Sequence, residues 1–252
     1  MMVGVLRSCE PFDLEALRRE ASAAVGVQDF GMGAYGHCVS LPCEDDMPET
    51  YRTHHNNLPF ADALRLCPLM TRIFREFQTE KASFRLLRRG PGTAYALHDD
   101  KDKGRHVVRF QIPIMTNQDA FIVLLKDQVP PPHLAAVVSR ILKDAGDDIW
   151  FDFERFQNAF GDYLSLYPLP PGYLYYFDTD RIHTAINAGG EDRIVLSIDL
   201  VMNDWLRDWM TVNLKTQVPA VPDGAALGGR WNWKSLRHGL ITNDETEPNA
   251  VR

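Results

Sequence analysis

Short apolar segments dominate the middle of the chain and predict β-strands. Turns rich in Gly, Pro, Asn and Asp separate these segments, which occupy residues 83–88, 107–114, 121–125, 173–177 and 193–200. Strands that follow one another, instead of alternating with helices, are typical of a sandwich or barrel and not of a parallel α/β sheet. The pattern therefore predicts a mainly β protein with flanking helices.

Helical spacing of apolar residues precedes the first of these strands. Residues 12–25 show it behind an N-cap at Asp13. A second helix is predicted from Pro68 to about residue 80, because proline suits a first helical turn. The region at residues 31–57, between these helices, is rich in loop-forming residues. Residues 1–80 are therefore expected to form a helical support for the β core.

A helical interruption is predicted between the third and fourth strands, at residues 130–162. Its apolar stripes consist of Leu134, Val137, Val138, Ile141 and Leu142, followed by Phe153, Phe156 and Phe160. Such stripes usually pack into a core, while a lid or a dimer face is the alternative interpretation. The tail at residues 211–252 is mostly polar, with Trp231 and Trp233 as its apolar anchors.

Composition excludes several classes of protein. The 252 residues include 27 Lys+Arg and 34 Asp+Glu, so the net charge is −7, which argues against a general nucleic-acid binder. No apolar run approaches the roughly 20 residues of a membrane-spanning helix. The four cysteines form no C-x-x-C pair, and they favour reduced thiols in a cytoplasmic protein. We therefore expect neither a nucleic-acid nor a membrane partner.

One glycine-rich motif resembles a dinucleotide-binding fingerprint. Gly31, Gly33 and Gly36 fit the G-x-G-x-x-G pattern. That motif requires a buried strand before it and a helix that opens at its third glycine. Residues 37–42 contain a proline and lack helical periodicity, so we interpret the motif as a loop.

A metal site is indicated by three residues far apart in the chain. A short strand is predicted to end in His98 and Asp100, whose side chains would project to the same side. His183 follows the strand at residues 173–177 and a turn. Two imidazoles and one carboxylate that leave other positions open are typical of non-haem Fe(II) oxygenases. A surface His/Asp pair and a hydrogen-bonded core histidine are the alternatives.

Two arginines lie where they could bind an anion near such a metal. Arg193 opens a predicted strand, and its guanidinium can bind a carboxylate in bidentate fashion. Arg109 and Gln111 alternate onto one face of their strand, where a buried arginine requires an anionic partner.

Longer segments around these residues carry a family resemblance. They are residues 85–93, 98–100, 108–117, 171–183, 187–193 and 198–205. They resemble the aspartyl/asparaginyl β-hydroxylase family of Fe(II)/2-oxoglutarate-dependent dioxygenases, which includes bacterial proline hydroxylases. The resemblance covers roughly residues 57–209.

The resemblance implies a double-stranded β-helix, or jelly-roll, core with a defined set of site residues. It implies that His98, Asp100 and His183 hold Fe(II). It also implies that 2-oxoglutarate chelates the iron and places its distal carboxylate on Arg193. The family's cosubstrate-binding Arg-x-His motif corresponds to Arg109 and Gln111. Glutamine departs from that motif, because its amide cannot carry charge at neutral pH.

The sequence therefore predicts a single dioxygenase domain over residues 1–252. The jelly-roll core would span residues 81–210, between the helical support and the tail. The expected reaction consumes O2 and 2-oxoglutarate and hydroxylates an unactivated C–H bond of a small amino acid or related carboxylate-bearing metabolite, free or carrier-bound.

Other functions fit the same residues. Desaturation, cyclisation or epoxidation in natural-product biosynthesis would use the same site. A non-catalytic jelly-roll protein that binds or senses a carboxylate, and a metal-dependent isomerase or hydrolase of the cupin type, are alternatives from other classes.

Overall fold

The computed structural model describes residues 4–27, 37–40, 56–57, 60–95, 97–100, 106–126, 132–134, 136–137, 140, 150–222, 225 and 227–232. The helices are α1 (Leu14–Val27), α2 (Phe60–Leu66), α3 (Pro68–Glu76), α4 (Phe153–Phe160) and α5 (Asp204–Asn213). The strands are β1 (Val5–Arg7), β2 (His37–Ser40), β3 (Asn56–Asn57), β4 (Lys81–Arg89), β5 (Thr93–Ala94), β6 (Val107–Met115), β7 (Ala120–Leu125), β8 (Trp150–Asp152), β9 (Leu164–Pro168), β10 (Tyr175–Phe177), β11 (His183–Asn187), β12 (Arg193–Val201), β13 (Thr216–Val218) and β14 (Arg230–Asn232). Within these ranges, no helix has the length and apolar character needed to cross a bilayer.

The chain alternates between two sheets to form a double-stranded β-helix. The larger sheet has the order β13-β1-β10-β6-β12-β4-β2-β3, and the smaller sheet has the order β5-β11-β7-β9. The strands β4, β6, β10 and β12 therefore lie in one sheet, and the intervening β5, β7, β9 and β11 lie in the other. The predicted jelly-roll core is confirmed. Strands β1 and β13, from the two ends of the described chain, extend the larger sheet beyond β10.

Helices cover one face of the larger sheet. Side chains on α1, α3 and α5 form a continuous apolar cluster with alternate residues of β4, β6 and β12, and Phe74 of α3 stacks on Phe84 of β4 with ring centroids 4.4 Å apart. Phe110 and Leu196 are fully buried in the same cluster. Because neighbouring residues of a strand project to opposite faces, the residues between them point toward the smaller sheet.

The helical interruption packs as its apolar stripes predict. Phe153, Phe156 and Phe160 of α4 are buried against the outer face of the smaller sheet, together with Leu134 and Val137. The core interpretation of these five residues is therefore confirmed. The rest of the first stripe lies outside the described residues.

Several short elements differ from the prediction. Strands β2 and β3 lie in the region expected to be loop, and α3 ends at Glu76 because Phe77 adopts an extended conformation before β4. Strand β10 begins at Tyr175, two residues later than predicted. Helix α2 and strands β1, β8, β9, β11, β13 and β14 were not predicted. Each of these strands has five residues or fewer and is held by pairing with other strands. The glycine motif at residues 31–36 and Trp233 lie outside the described residues, as does the side chain of Trp231.

A buried carboxylate joins two of the supporting helices. Glu20 of α1 accepts hydrogen bonds from the backbone N–H groups of Leu69 (2.7 Å) and Met70 (2.9 Å) in the first turn of α3. These N–H groups have no partner within their own helix.

We expect Glu20→Ala to lower the free energy of unfolding by about 1–3 kcal/mol, because it leaves two donors of the α3 first turn without their acceptor. Urea denaturation measures this difference. Glu15→Ala, which removes an exposed ion pair with Arg18 on the same helix, should cost less than about 0.5 kcal/mol. Equal losses in the two variants would contradict the role of Glu20.

Candidate metal centre

A reciprocal pair of backbone hydrogen bonds holds the two candidate imidazoles side by side. His98 and His183 form an antiparallel bridge, in which the N–H of His98 donates to the carbonyl of His183 (3.0 Å) and the reverse bond measures 2.8 Å. Their ring centroids are 4.4 Å apart. His183 is the first residue of β11, so a regular strand fixes its position.

Asp100 completes the cluster, although not by the predicted strand geometry. The chain leaves the sheet after the bridge at His98, and the N–H of Asp100 instead donates to the carbonyl of Thr179 (2.9 Å). The Oδ1 atom of Asp100 lies 3.3 Å from Nε2 of His98, and its Oδ2 atom lies 3.7 Å from Nε2 of His183. The predicted convergence is therefore present, and the continuous strand through these residues is absent.

One ligand atom from each of the three residues lies within 4.8 Å of the others. Within the part of the chain that the structure describes, no other group of three His, Cys, Asp or Glu side chains has such close ligand atoms. The competing candidates do not join it: His106 is exposed, and Asp99 is not part of the cluster.

Hydrogen bonding orients the His183 ring for metal binding. Its Nδ1 atom lies 2.9 Å from the carbonyl oxygen of Arg181, which can only accept a hydrogen bond. Nδ1 is therefore the protonated nitrogen, and Nε2 keeps its lone pair toward Asp100. The ring also contacts Phe177 edge to face, with centroids 5.7 Å apart.

The electrostatics leave His183 and Asp100 in metal-binding protonation states at neutral pH. Burial, together with the neighbouring His98, lowers the pKa of His183 to about 4. Burial alone would raise the pKa of Asp100, but its hydrogen bond with His98 and the charge of Arg109 hold that pKa below its usual range. A neutral imidazole and an ionised carboxylate are the forms that bind metal ions.

Arg109 links the cluster to a second, buried carboxylate. Its Nε and Nη2 atoms donate to Oδ1 (2.7 Å) and Oδ2 (3.0 Å) of Asp199, and its Nη1 atom donates to Oδ2 of Asp100. Asp199 also accepts hydrogen bonds from Arg85 and from the hydroxyl of Ser83, each at 2.7 Å. The anionic partner that a buried Arg109 requires is therefore supplied by the protein itself.

Arg193 lies inside the sandwich without such a partner. Its side chain is 2% exposed, and its Nη2 atom donates to Oε1 of Gln111 at 3.3 Å. No carboxylate among the residues that the structure describes pairs with it. Burial, with the neighbouring Arg89, lowers the pKa of Arg193 to about 9, so the guanidinium stays charged at neutral pH. An anion-binding position results.

The sequence prediction assigned no role to two residues of this interior. Asp199 anchors Arg109, and the hydroxyl of Ser197 is buried without a hydrogen-bond partner on the rung that pairs with Gln111. The sequence did contain a signal for them: Ser197 and Asp199 follow Arg193 at even spacing along one apolar strand, which predicts that all three share a face.

Comparisons with known proteins identify only distant structural similarity. No protein-family model matches the chain, and no curated protein matches it. HygX from Streptomyces hygroscopicus, solved with nickel and 2-oxoglutarate bound, is 14% identical over 80% of this chain and 83% of its own, with a TM-score of 0.45. The non-haem α-ketoglutarate-dependent carbocyclase SnoK from nogalamycin biosynthesis is 13% identical over 87% and 92%, with a TM-score of 0.44. A prolyl-4-hydroxylase from Pseudomonas putida is 13% identical over 79% and 92%, with a TM-score of 0.42. Similarity this distant carries no argument about function.

The metal-free protein should lose stability as pH falls from 6.5 toward 4, because the unfolded chain protonates His183 more readily than the folded chain does. The loss attributable to His183 should reach about 3 kcal/mol. Urea denaturation in the presence of a chelator measures it. His183→Asn should flatten the pH dependence, while His106→Asn, at an exposed position, should leave it as in the wild type. An unchanged slope in His183→Asn would contradict this origin.

Proposed function

We propose that this protein is an Fe(II)/2-oxoglutarate-dependent dioxygenase. The observation that carries the proposal is that a His-Asp-His cluster and a buried arginine face the same interior of a jelly roll. The cluster offers His98, Asp100 and His183 as ligands, and this donor set fits Fe(II). Bound together, Fe(II), 2-oxoglutarate and O2 would supply the oxidising chemistry, with succinate and CO2 as co-products.

The cosubstrate's distal carboxylate would bind the guanidinium of Arg193. Gln111, already in contact with Arg193, pairs with Ser197 across β6 and β12, and its amide and the unpartnered Ser197 hydroxyl can donate hydrogen bonds to the same anion. A dianion that reaches from the metal cluster to Arg193 would satisfy a buried charge and a buried hydroxyl together. This fit supports a ligand with two acidic ends.

Burial also suits the site to oxidation. Both His183 and Arg193 are nearly inaccessible to solvent. The aromatic ring of Tyr95 contacts His98, and the ring of Phe177 contacts His183. These side chains would exclude water from the reacting atoms and hold the imidazoles in place.

We further propose membership of the aspartyl/asparaginyl β-hydroxylase family, with a small amino acid or a related carboxylate-bearing metabolite as the hydroxylated substrate. The segments around His98, His183 and Arg193 support the family assignment. The position of Arg109 corresponds to the family's cosubstrate arginine, but its three donor nitrogens already contact Asp199 and Asp100. Its binding of cosubstrate stays a prediction.

The organisation as one dioxygenase domain over residues 1–252 is likewise proposed. It is supported by β1 and β13, which add strands from both ends of the described chain to the larger sheet. The cytoplasmic location also stays a prediction.

The test of the activity is O2-dependent release of succinate. The protein is loaded anaerobically with Fe(II) and 2-oxoglutarate and then exposed to air with a panel of amino acids. We expect succinate, and a hydroxylated product by mass spectrometry with one of them. His183→Ala should abolish both, while His106→Ala, at an exposed histidine, should retain them. Absence of O2-dependent succinate across a broad panel would contradict the dioxygenase and favour a carboxylate-binding protein.

Arg193→Ala should raise the 2-oxoglutarate concentration required for half-maximal succinate release by about 30-fold or more, because a buried charge pair contributes about 2 kcal/mol or more. Arg193→Lys should give an intermediate increase, since an ammonium cannot bind a carboxylate in bidentate fashion. Arg207→Ala, at an exposed arginine of α5, should leave the requirement unchanged. An unaltered requirement in Arg193→Ala would refute its cosubstrate role.

A further inference from the structure

Arg109 engages only one of the two oxygens of the candidate ligand Asp100. Its Nη1 donates to Oδ2, while Oδ1 remains directed toward Nε2 of His98 at 3.3 Å. The two oxygens of this carboxylate are therefore not equivalent. A cation that bound Oδ2 would also approach the guanidinium, and like charges at such short range repel.

The guanidinium cannot easily turn away from Asp100. Asp199 holds its Nε and Nη2 atoms in a bidentate pair, which fixes the plane of the group. Asp199 is itself 2% exposed and is anchored by Arg85 and Ser83. The third donor nitrogen is thereby aimed at Oδ2 by contacts on a neighbouring strand.

We propose that Arg109 is a positioning residue that confines Asp100 to monodentate metal coordination through Oδ1. This inference rests on the proposed metal centre. With two imidazoles and one carboxylate oxygen, an octahedral ion keeps about three open positions, and a chelating cosubstrate needs two of them. Coordination by both carboxylate oxygens would leave only those two. Arg109 thus preserves the additional position that the oxygen chemistry requires.

The number of open positions is measured with Mn(II) in place of Fe(II). Water-proton relaxivity per bound Mn(II), with bound metal counted by electron paramagnetic resonance, reports the exchangeable waters on the ion. The wild-type protein should show three. Arg109→Met frees Oδ2 to join the metal, so relaxivity should fall by about a third, as one of about three open positions closes.

A matched control separates positioning from loss of a buried charge. Arg85→Met removes another guanidinium bound to Asp199, while Ser83 and the bidentate pair with Arg109 still hold that carboxylate. Arg109 therefore keeps its contact with Asp100, and this variant should keep three waters. Arg109→Lys retains a cationic donor at this position and should show more waters than Arg109→Met.

Each outcome bears on a separate claim. Two waters on wild-type Mn(II), or an unchanged count in folded Arg109→Met, would overturn the monodentate role while leaving the metal centre intact. If Arg109→Met does not fold, Arg109→Gln takes its place: it also removes the cation beside Oδ2 and should show two waters, and three waters there would overturn the role of Arg109. Failure of the wild-type protein to bind Mn(II) or Fe(II) would instead contradict the metal centre itself.

Discussion

Charge buried between the two sheets is the constraint on which the rest of this structure depends. Strand β12 directs Leu196 and Ile198 toward the helices and places Arg193, Ser197 and Asp199 toward the interior. Charges in such a place must be paired. Asp199 accepts hydrogen bonds from Arg109, Arg85 and Ser83, whereas among the described residues Arg193 has no carboxylate partner and donates to the amide of Gln111. The charges around Asp199 are therefore paired within the protein, whereas the guanidinium of Arg193 can still pair with an anion.

The metal cluster depends on the same balance. Burial favours the neutral form of His183, while Arg109 and His98 keep Asp100 ionised despite its burial. The backbone bridge between the two histidines limits how far their imidazoles can move apart. Such a restraint reduces the entropy that the side chains lose when they bind a ligand.

Alternation and turn chemistry were sufficient to predict strands β4, β6, β7, β10 and β12. The family resemblance, and not local spacing, implied the jelly roll in which His98, Asp100 and His183 come together. No role was predicted for Asp199 and Ser197, because each is a single polar residue in an apolar strand and their importance arises from neighbours on β4 and β6. Strands β3 and β5 have two residues each, too few for a pattern, and they exist through pairing with distant segments. Helix α3 ends earlier than predicted because the chain becomes extended at Phe77, ahead of β4. Strand β4 begins at Lys81 and pairs with the distant β12.

The central claim is that one interior binds both a metal ion and a dicarboxylate that connects this ion to Arg193. Anaerobic equilibrium dialysis with Fe(II) and labelled 2-oxoglutarate tests it most directly. The account predicts one Fe(II) per chain, and 2-oxoglutarate binding that requires the metal and is lost in both His183→Ala and Arg193→Ala. Equally tight 2-oxoglutarate binding with and without metal, or binding that persists in both variants, would contradict it.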